Sequence, residues 1–337
     1  MMRFEEVMGL TMPGARALFG ADESAVRRGL GGLIRDWHPD VCADPRAAEA
    51  LAHITALRAR ASGAPPARPT REFVRDDGSR FALRPLSGFM DGAAEVLVCE
   101  RSVSRLFREE DADLARAAET AIGGFRFANP AMEKQMRRFL PGDLRVTPLE
   151  GGAVLHTVPR RADQVSLADL IRVRGPFDPR TGAWVVSGLL NIACWAEWAG
   201  VAHGAISPET VLVSPAGHET ALIGGWEFSS ERGSRPFALP DATVRMFPAV
   251  SAPDAAPPLN MDLCLIRETA MRLFGVPDAS RLLDGSVPRA IGKWIAFPPA
   301  SGAVADYAEW KSALRSSFGE PKFVEMGVTP GQVYGEQ

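Results

Sequence analysis

The sequence predicts an α+β fold in which a small helical unit precedes a larger body of strands and then helices. Three observations predict it. Apolar residues recur at helical spacing over residues 15–61, strand-like segments with the turn signal Asp77-Gly78 follow, and helical periodicity dominates the remainder. Strands followed by helices are typical of α+β proteins. We therefore assign four regions: a helical domain over 1–61, a linker over 62–71, a small mixed lobe over 72–158 and a larger helical lobe over 159–337.

Composition narrows the function classes. The chain has 337 residues, 46% hydrophobic and 23% charged, which is enough to bury a sizeable core, and its formal net charge of -3 provides no overall attraction for nucleic acid or anionic lipid. The four cysteines are far apart and no leader or membrane segment is evident. We expect a cytoplasmic protein that binds no nucleic acid, membrane, metal or cofactor. Arginine and alanine are abundant and only four of the 38 basic residues are lysine, a usage typical of GC-rich bacterial or bacteriophage genomes.

Two amphipathic helices build the amino-terminal unit. The first has an apolar stripe at i, i+4, i+7 and i+11, formed by Val26, Leu30, Leu33 and Trp37. Ser24 is its predicted N-cap, and Asp44-Pro45 has the order of a second helix start. In the second helix the repeating apolar residues are Leu51, Ile54 and Leu57. Two such stripes joined by a short loop predict an antiparallel hairpin with the turn His38-Pro39-Asp40 exposed at its tip.

This unit resembles a J-domain, the module by which co-chaperones stimulate a DnaK-type heat-shock chaperone ATPase. The resemblance rests on the motif W-H-P-D at 37–40 between the helices, on basic residues of the first helix, and on D-P-x-A-x-x-A-L opening the second. It implies that Trp37 is structural and that the chaperone binds six residues: His38, Pro39, Asp40, Arg27, Arg28 and Arg35. A carboxylate and a hydrogen-bond donor at a rigid turn suit an arginine-bearing partner surface.

The first helix departs from the J-domain pattern. Where the family usually has further basic residues, this chain has Gly29, Gly31, Gly32 and Asp36. Each glycine inside a helix costs about 0.5–1 kcal/mol relative to alanine. We therefore expect a soft helix with a thin basic face.

The body resembles a eukaryotic-type protein kinase over roughly residues 72–325. The segment HGAISPET at 203–210 is similar to the kinase catalytic loop H-R-D-L-x-P-E-N, and ALIGGWEF is similar to the strand that ends in D-F-G. NMDLCLIRETAMRLFG resembles the helix that begins with a buried aspartate, here Asp262. The resemblance implies that Asp262 holds the backbone of the catalytic loop.

The charged groups of phosphoryl transfer are missing from this pattern. Active kinases use a catalytic aspartate, a metal-binding asparagine and aspartate, and a phosphate-binding lysine. The corresponding residues here are Ala205, Thr210 and Gly225, or Gly224 if the strand slips by one. No lysine precedes Lys134, so only an arginine such as Arg101 or Arg105 remains for the phosphates, and the helix at 130–140 offers Glu133 as its partner. The resemblance therefore implies a pseudokinase, kept as a binding surface.

We interpret the chain as a J-domain fused to a catalytically inactive kinase-like scaffold that targets a DnaK-type chaperone to an unknown client or assembly partner. One alternative is an unorthodox nucleotide-dependent transferase that uses the same cleft. Its candidate acids are Asp163, Asp169, Glu209, Glu219 and Glu227. Another alternative is a purely structural protein in which the J-like hairpin is a relic.

The remaining histidines and tryptophans are most simply structural. His156 and His218 have no metal-ligand neighbours at i+3 or i+4. The tryptophans of the long helix, Trp184, Trp195 and Trp198, are predicted to face the core because they lie near helical spacing.

Overall fold

A computed structural model of the chain describes residues 2–20, 22–39, 41–61, 70–252, 255–282, 284–320 and 322–335. The chain divides into two compact units, one formed by residues 1–69 with 334–337 and the other by residues 70–333. Most of the predicted linker lies outside the described residues. Its last residue, Arg71, is already the first residue of a strand, so the ordered body begins earlier than the sequence predicted.

The helices and strands follow the predicted order up to residue 159, and the region beyond it, predicted to be mainly helical, also contains five short strands. The helices are α1 Phe4–Met8, α2 Met12–Phe19, α3 Glu23–Asp36, α4 Ala47–Ala61, α5 Ala112–Gly123, α6 Pro130–Met136, α7 Leu167–Arg174, α8 Pro179–Ala199, α9 Asp241–Met246, α10 Met261–Phe274, α11 Arg289–Ala296, α12 Ala303–Phe318 and α13 Pro330–Tyr334. The strands are β1 Arg71–Val74, β2 Arg80–Leu83, β3 Ser87–Met90, β4 Glu95–Val98, β5 Ser102–Phe107, β6 Arg145–Pro148, β7 Val154–Pro159, β8 Val165–Ser166, β9 Val201–Ala202, β10 Val211–Ser214, β11 Glu219–Leu222 and β12 Ser230–Glu231.

The amino-terminal unit is helical and has its own core. The predicted stripe of α3 is buried in this core, together with apolar residues of α4. Its largest buried members are Leu30, Trp37, Ile54 and Leu57. Asp22, rather than Ser24, caps α3, because its carboxylate accepts the backbone N–H of Ala25 at 3.2 Å. The prediction of Ser24 as N-cap was therefore wrong by two residues.

One glycine of α3 is required by packing. A Cβ on Gly29 would lie 2.3 Å from the ring of Phe19, so the absence of a side chain lets α2 approach α3. Gly32 has no atom within 4 Å of the same position. The two glycines therefore differ: the first permits close helix packing, and the second only lowers the helix propensity of α3.

The small lobe of the second unit is built on a five-stranded antiparallel sheet. Its strand order is β3-β4-β5-β7-β6, and the hairpin β1-β2 forms a separate ribbon turning at the predicted Asp77-Gly78. Phe73 of this ribbon packs on Leu97 and Leu155 of the sheet. The ribbon therefore covers one part of the sheet with apolar side chains.

The helix that supports the sheet is α5, and not the helix at 130–140 that the sequence suggested. Ala115 and Ala118 of α5 are buried, and Ala115 shares a core cluster with Phe107 of β5. Glu133 lies on α6, where it forms an ion pair with Arg137, and both side chains are close to half exposed. Glu133 was therefore wrongly proposed as the partner of a phosphate-binding residue.

The large lobe surrounds the 21-residue helix α8, most of which is buried. Trp195 is buried as predicted, whereas Trp198 is 51% exposed, so its assignment to the core was wrong. Trp310 of α12 donates from its indole nitrogen to the hydroxyl of Ser187 at 2.9 Å. Within the described segments, none of the helices combines the length and hydrophobicity needed to cross a membrane.

Candidate functional site

The loop that resembles a kinase catalytic loop is held by a carboxylate of α10. Asp262 accepts hydrogen bonds from the backbone N–H groups of His203 and Gly204, each at 2.8 Å. Gly204 has a φ of 76°, and a Cβ there would lie 3.1 Å from the carbonyl oxygen of Phe228. Two charge-assisted bonds and a glycine turn therefore fix the path of this loop.

The two loop positions at which kinases carry polar catalytic groups have structural roles here. Ala205 is 5% exposed and has no functional group. The hydroxyl of Thr210 lies 3.1 Å from the carbonyl oxygen of Ala205 and 3.0 Å from that of Ser207, and it accepts the backbone N–H of Ser207 at 3.1 Å. Thr210 thus closes the loop on itself, and its oxygen is fully engaged in doing so.

The turn after β11 has no room for a carboxylate at the metal-binding position. Gly225 has a φ of 80°, and a Cβ there would lie 2.8 Å from Cε1 of His203 and 2.9 Å from Cβ of Ala205. The carbonyl oxygen of the preceding residue, Gly224, is within hydrogen-bond distance of His203, 3.0 Å from its Nε2 atom. An aspartate at 225 would require both a strained backbone and a displaced loop.

Arg105 occupies the third strand of the sheet, where protein kinases carry the lysine that binds phosphate. Its Nε and Nη2 atoms donate to Oδ2 of Asp91 at 2.9 and 2.6 Å. Its Nη1 atom donates to Oε2 of Glu227 at 2.6 Å, and its Nη2 atom also contacts Oε1 of Glu227. Asp91 comes from the β3–β4 turn, and Glu227 comes from the turn after Gly225. We call Asp91, Arg105 and Glu227 the cleft triad.

The cleft triad is buried and carries one more carboxylate than it has cations. The side chains of Asp91 and Glu227 are fully buried, and that of Arg105 is 7% exposed. Burial raises the pKa of Asp91, and the neighbouring Glu227 raises it further, against the opposing effect of Arg105. Burial opposes the charge of Arg105, but the two carboxylates outweigh it and raise the pKa of Arg105. The guanidinium is therefore charged and committed to groups of its own chain.

The buried histidine of the catalytic-like loop is neutral at pH 7. Burial lowers the pKa of His203, and this effect exceeds the opposing influence of Asp262, Glu227 and the carbonyl oxygen of Gly224. The ring of Trp226 packs edge-on against it at 4.6 Å. His203 therefore acts as a packing and hydrogen-bonding group.

The five acids proposed for a transferase are not gathered at one place. Asp163 pairs with Arg161, and Glu219 pairs with Arg161 and Arg138. The other three pair separately: Asp169 with Arg172, Glu209 with Arg272 and Glu227 with Arg105. Among the described residues, no group of three or more His, Cys, Asp or Glu side chains is arranged to hold a metal ion.

Next to the cleft triad lies an open groove of 730 Å³. It is bordered by the loop 205–209, the segment 238–246 and α10. Five acids and two arginines line it. Asp91 is buried against Arg105 and Glu209 pairs with Arg272, which leaves Asp111, Asp241 and Glu268 beside Arg245 outside these pairs. The groove therefore has an excess of acidic groups next to apolar lining residues such as Leu114 and Ile206.

In the amino-terminal unit, the W-H-P-D motif follows directly after α3. Trp37 is 1% exposed and its ring lies 6.1 Å from that of Phe4, whereas His38 and Pro39 are exposed. The carbonyl oxygen of His38 accepts the backbone N–H of Val41 and of Cys42, each at 2.8 Å. Asp40 lies outside the described residues. The three arginines of α3 named above, Arg27, Arg28 and Arg35, are all exposed.

Sequence reasoning named Arg105 only as one of two possible lysine substitutes and missed Asp91 altogether. Arg101, the other candidate, is exposed and lies between β4 and β5. The three members of the cleft triad are separated by 14 and 122 positions, so no local spacing connects them. The sequence contains one signal that could have found the triad. No lysine precedes Lys134, so an arginine is the basic residue available to these strands, and a buried arginine requires carboxylate partners.

Comparison with solved structures shows the fold of the larger unit. The chain is similar to a structure described as vaccinia related kinase 3, with a TM-score of 0.50 and 12% sequence identity over 74% of this chain and 92% of that chain. The fold is therefore that of a protein kinase, with a sheet lobe and a helical lobe. No family model matches the sequence, and no curated protein matches it.

Proposed function

We propose that the chain is a catalytically inactive kinase-like scaffold that carries a J-domain and targets a DnaK-type chaperone ATPase to a client. The observation that carries the first half is the commitment of Arg105 to Asp91 and Glu227 inside the cleft. A phosphate would have to displace buried carboxylates from the only cation at this point of the described cleft, and it would meet their negative charge. Gly225 also lacks a side chain at the position where kinases carry the magnesium-binding aspartate, and Asp91 and Glu227 are bonded to Arg105.

A nucleotide titration of the intact chain tests this half. We expect ATP with magnesium to leave the melting temperature unchanged, because a ligand stabilises a fold only as far as it binds the folded state. ATP alone and magnesium alone are the matched controls. A concentration-dependent rise that needs ATP and magnesium together would contradict the scaffold and favour the transferase alternative.

The second half is supported by the W-H-P-D turn and its surroundings. Buried Trp37 anchors the end of α3, while His38 and Pro39 are exposed directly after it. Arg27, Arg28 and Arg35 add positive charge on the surface of α3. Exposed His38 and Pro39 beside a basic helix suit docking to a chaperone surface.

Single-turnover ATP hydrolysis by a DnaK-type chaperone tests the J-domain directly. We expect the intact protein to raise the rate, and His38→Gln and Asp40→Asn each to abolish the increase. Asp76→Asn is the matched control, because it makes the same chemical change at an exposed position in the second unit. If the rate does not rise with the chaperones of the source cell, the co-chaperone proposal fails and the relic alternative remains.

The acidic groove is our candidate site for the client. Its excess of carboxylates suits a segment that carries lysine or arginine beside apolar residues. Thr243 on α9 supports this edge of the groove, because its hydroxyl donates to the carbonyl oxygen of Gly204 at 2.8 Å. The client would thus contact a surface that the catalytic-like loop holds in place.

A further inference from the structure

A second cavity lies in the helical lobe and has no part in the cleft. Its volume is 280 Å³, and it is bordered by α8, α12, the β10–β11 turn and four residues that follow α12, namely Gly319, Glu320, Lys322 and Val324. Cavities of this size accept a small molecule that has a single ring or two fused rings. We call it the basic pocket, because arginine and lysine side chains line it.

Four cations line the basic pocket against a single acid. The cations are Arg180, Lys311, Arg315 and Lys322, and the acid is Glu320. Across the described chain, none of the four cations forms an ion pair. Two of the four lysines in the entire sequence are found here. In a protein of net charge -3, this concentration of unpaired positive charge favours an anionic ligand.

Trp184, His218 and Phe318 supply the aromatic part of the lining. The ring of His218 lies between those of Trp184 and Phe323, at centroid distances of 4.8 and 4.0 Å and interplanar angles of 3° and 15°. Arg180 lies over the ring of Phe318 at 5.0 Å. Stacked rings next to cations suit a ligand with a planar apolar body.

His218 also carries a backbone conformation that needs an explanation. Its φ of 51° makes it the one non-glycine residue with a positive φ in the described segments. Nε2 of His218 and the indole nitrogen Nε1 of Trp184 are buried and have no hydrogen-bond partner in the described chain. Strained backbone and unpaired polar atoms gather at binding sites because the surrounding structure maintains them for a function.

We propose that the basic pocket binds a small aromatic anion, that is, a planar one- or two-ring molecule bearing a carboxylate, sulfonate or phosphate. The ring packs against Trp184 and Phe318, which line the pocket, and the anionic group lies toward Lys311 and Arg315 on α12. The pocket involves neither the cleft triad nor the W-H-P-D turn. Through this pocket, a small molecule acts on the helical lobe without contacting the cleft.

Calorimetric titration of the intact chain with naphthalene-2-sulfonate tests the proposal. Naphthalene-2-methanol supplies the ring without the charge, and inorganic sulfate supplies the charge without the ring. We expect the sulfonate to bind at least about tenfold more tightly than either, and its affinity to fall as salt is added. Absence of binding, or equal binding of the neutral analogue, would overturn the proposal.

A charge-matched pair of double variants locates the site. Lys311→Gln with Arg315→Gln should weaken sulfonate binding by about tenfold, since two charge contacts from exposed side chains are lost. Arg289→Gln with Lys293→Gln makes the same change on exposed residues of α11 and should leave the affinity within about twofold. Equal affinities of the two double variants would show that the sulfonate binds elsewhere.

Lysine acetylation gives an independent readout on the wild-type chain. Bound sulfonate should slow the acetylation of Lys311 and Lys322 relative to Lys134 and Lys293, which do not line the pocket. Uniform protection of all four lysines, or none, would contradict the assignment.

Discussion

Arg105 has five N–H donors, and it makes four hydrogen bonds to two carboxylates. We expect Arg105→Met to lower the free energy of unfolding of the second unit by about 3–5 kcal/mol, because it leaves Asp91 and Glu227 buried without a cation. Urea unfolding followed by tryptophan fluorescence measures the change. The triple variant that also carries Asp91→Asn and Glu227→Gln should recover at least half of the loss.

An exposed ion pair provides the comparison for this prediction. Arg161→Met removes a guanidinium that also bonds two carboxylates but is 43% exposed, so its cost should stay below about 1 kcal/mol. If Arg105→Met costs no more than Arg161→Met, the cleft triad is not the buried network described above.

The buried His203 makes the stability of the second unit depend on pH. Its pKa is lowered by burial, so on acidification the unfolded chain takes up a proton at this residue before the folded protein does. Stability contributed by neutral His203 is present above the unfolded pKa of about 6.5 and is lost as the pH falls below it. The free energy of unfolding of the wild-type protein should fall between pH 7.5 and pH 5.5. In His203→Asn this fall should be about 1 kcal/mol smaller.

Urea midpoints at the two pH values measure this effect. His38→Asn removes an exposed imidazole and should keep the wild-type dependence. His156 and His218, whose pKa values burial also lowers, maintain part of the dependence in both variants. If His203→Asn loses as much free energy of unfolding between the two pH values as the wild-type protein, the buried imidazole of His203 is not neutral.

At the scale of the helix, α3 shows two kinds of glycine within four residues. Gly32→Ala should stabilise α3 by about 0.5–1 kcal/mol, because the added methyl group meets open space and raises helix propensity. Gly29→Ala should destabilise it by about 1–3 kcal/mol, because the methyl group would collide with Phe19. Hydrogen exchange of peptides within 23–36 measures both changes, and equal shifts in the same direction would refute this packing of α2 on α3.

Elements with strong local signals could be predicted from sequence. The stripe from Val26 to Trp37 predicted α3, and Asp77-Gly78 predicted the turn of the first hairpin, because each pattern is complete within a few residues. The kinase-like fold was indicated in the same way, by the short segments around His203 and Asp262. Where the periodicity was weaker, boundaries shifted, as at Arg71.

The sheet lobe resisted prediction because its partners are distant in the chain. Helices α5 and α6 have similar local patterns, and only packing against β5 distinguishes the supporting helix from the exposed one. The cleft triad depends on three separate elements converging, which no spacing rule encodes. Whether the W-H-P-D turn engages a chaperone stays a prediction, since its partner surface is on another molecule.

At the scale of the second unit, the cleft triad connects the sheet lobe to the helical lobe. Glu227→Gln keeps the charge of Arg105 balanced by Asp91 but weakens the bond across the cleft. We expect amide exchange to rise by about tenfold in segments 88–98 and 224–230, with little change in α12.

Mass spectrometry of exchanged peptides measures this opening. Asp163→Asn is the control, because it weakens an ion pair that is close to half exposed and lies away from the cleft. Unchanged exchange at both edges of the cleft in Glu227→Gln would mean that the lobes are joined by other contacts.

The cleft triad has a further consequence for the second unit as a whole. In an active kinase the space between the lobes is filled and emptied in every turnover, and a bound nucleotide bridges the two lobes. Here three side chains of the protein bridge them permanently, from the β3–β4 turn through β5 to Glu227. The contact between the two lobes is therefore made by side chains of the chain itself and does not require a bound ligand.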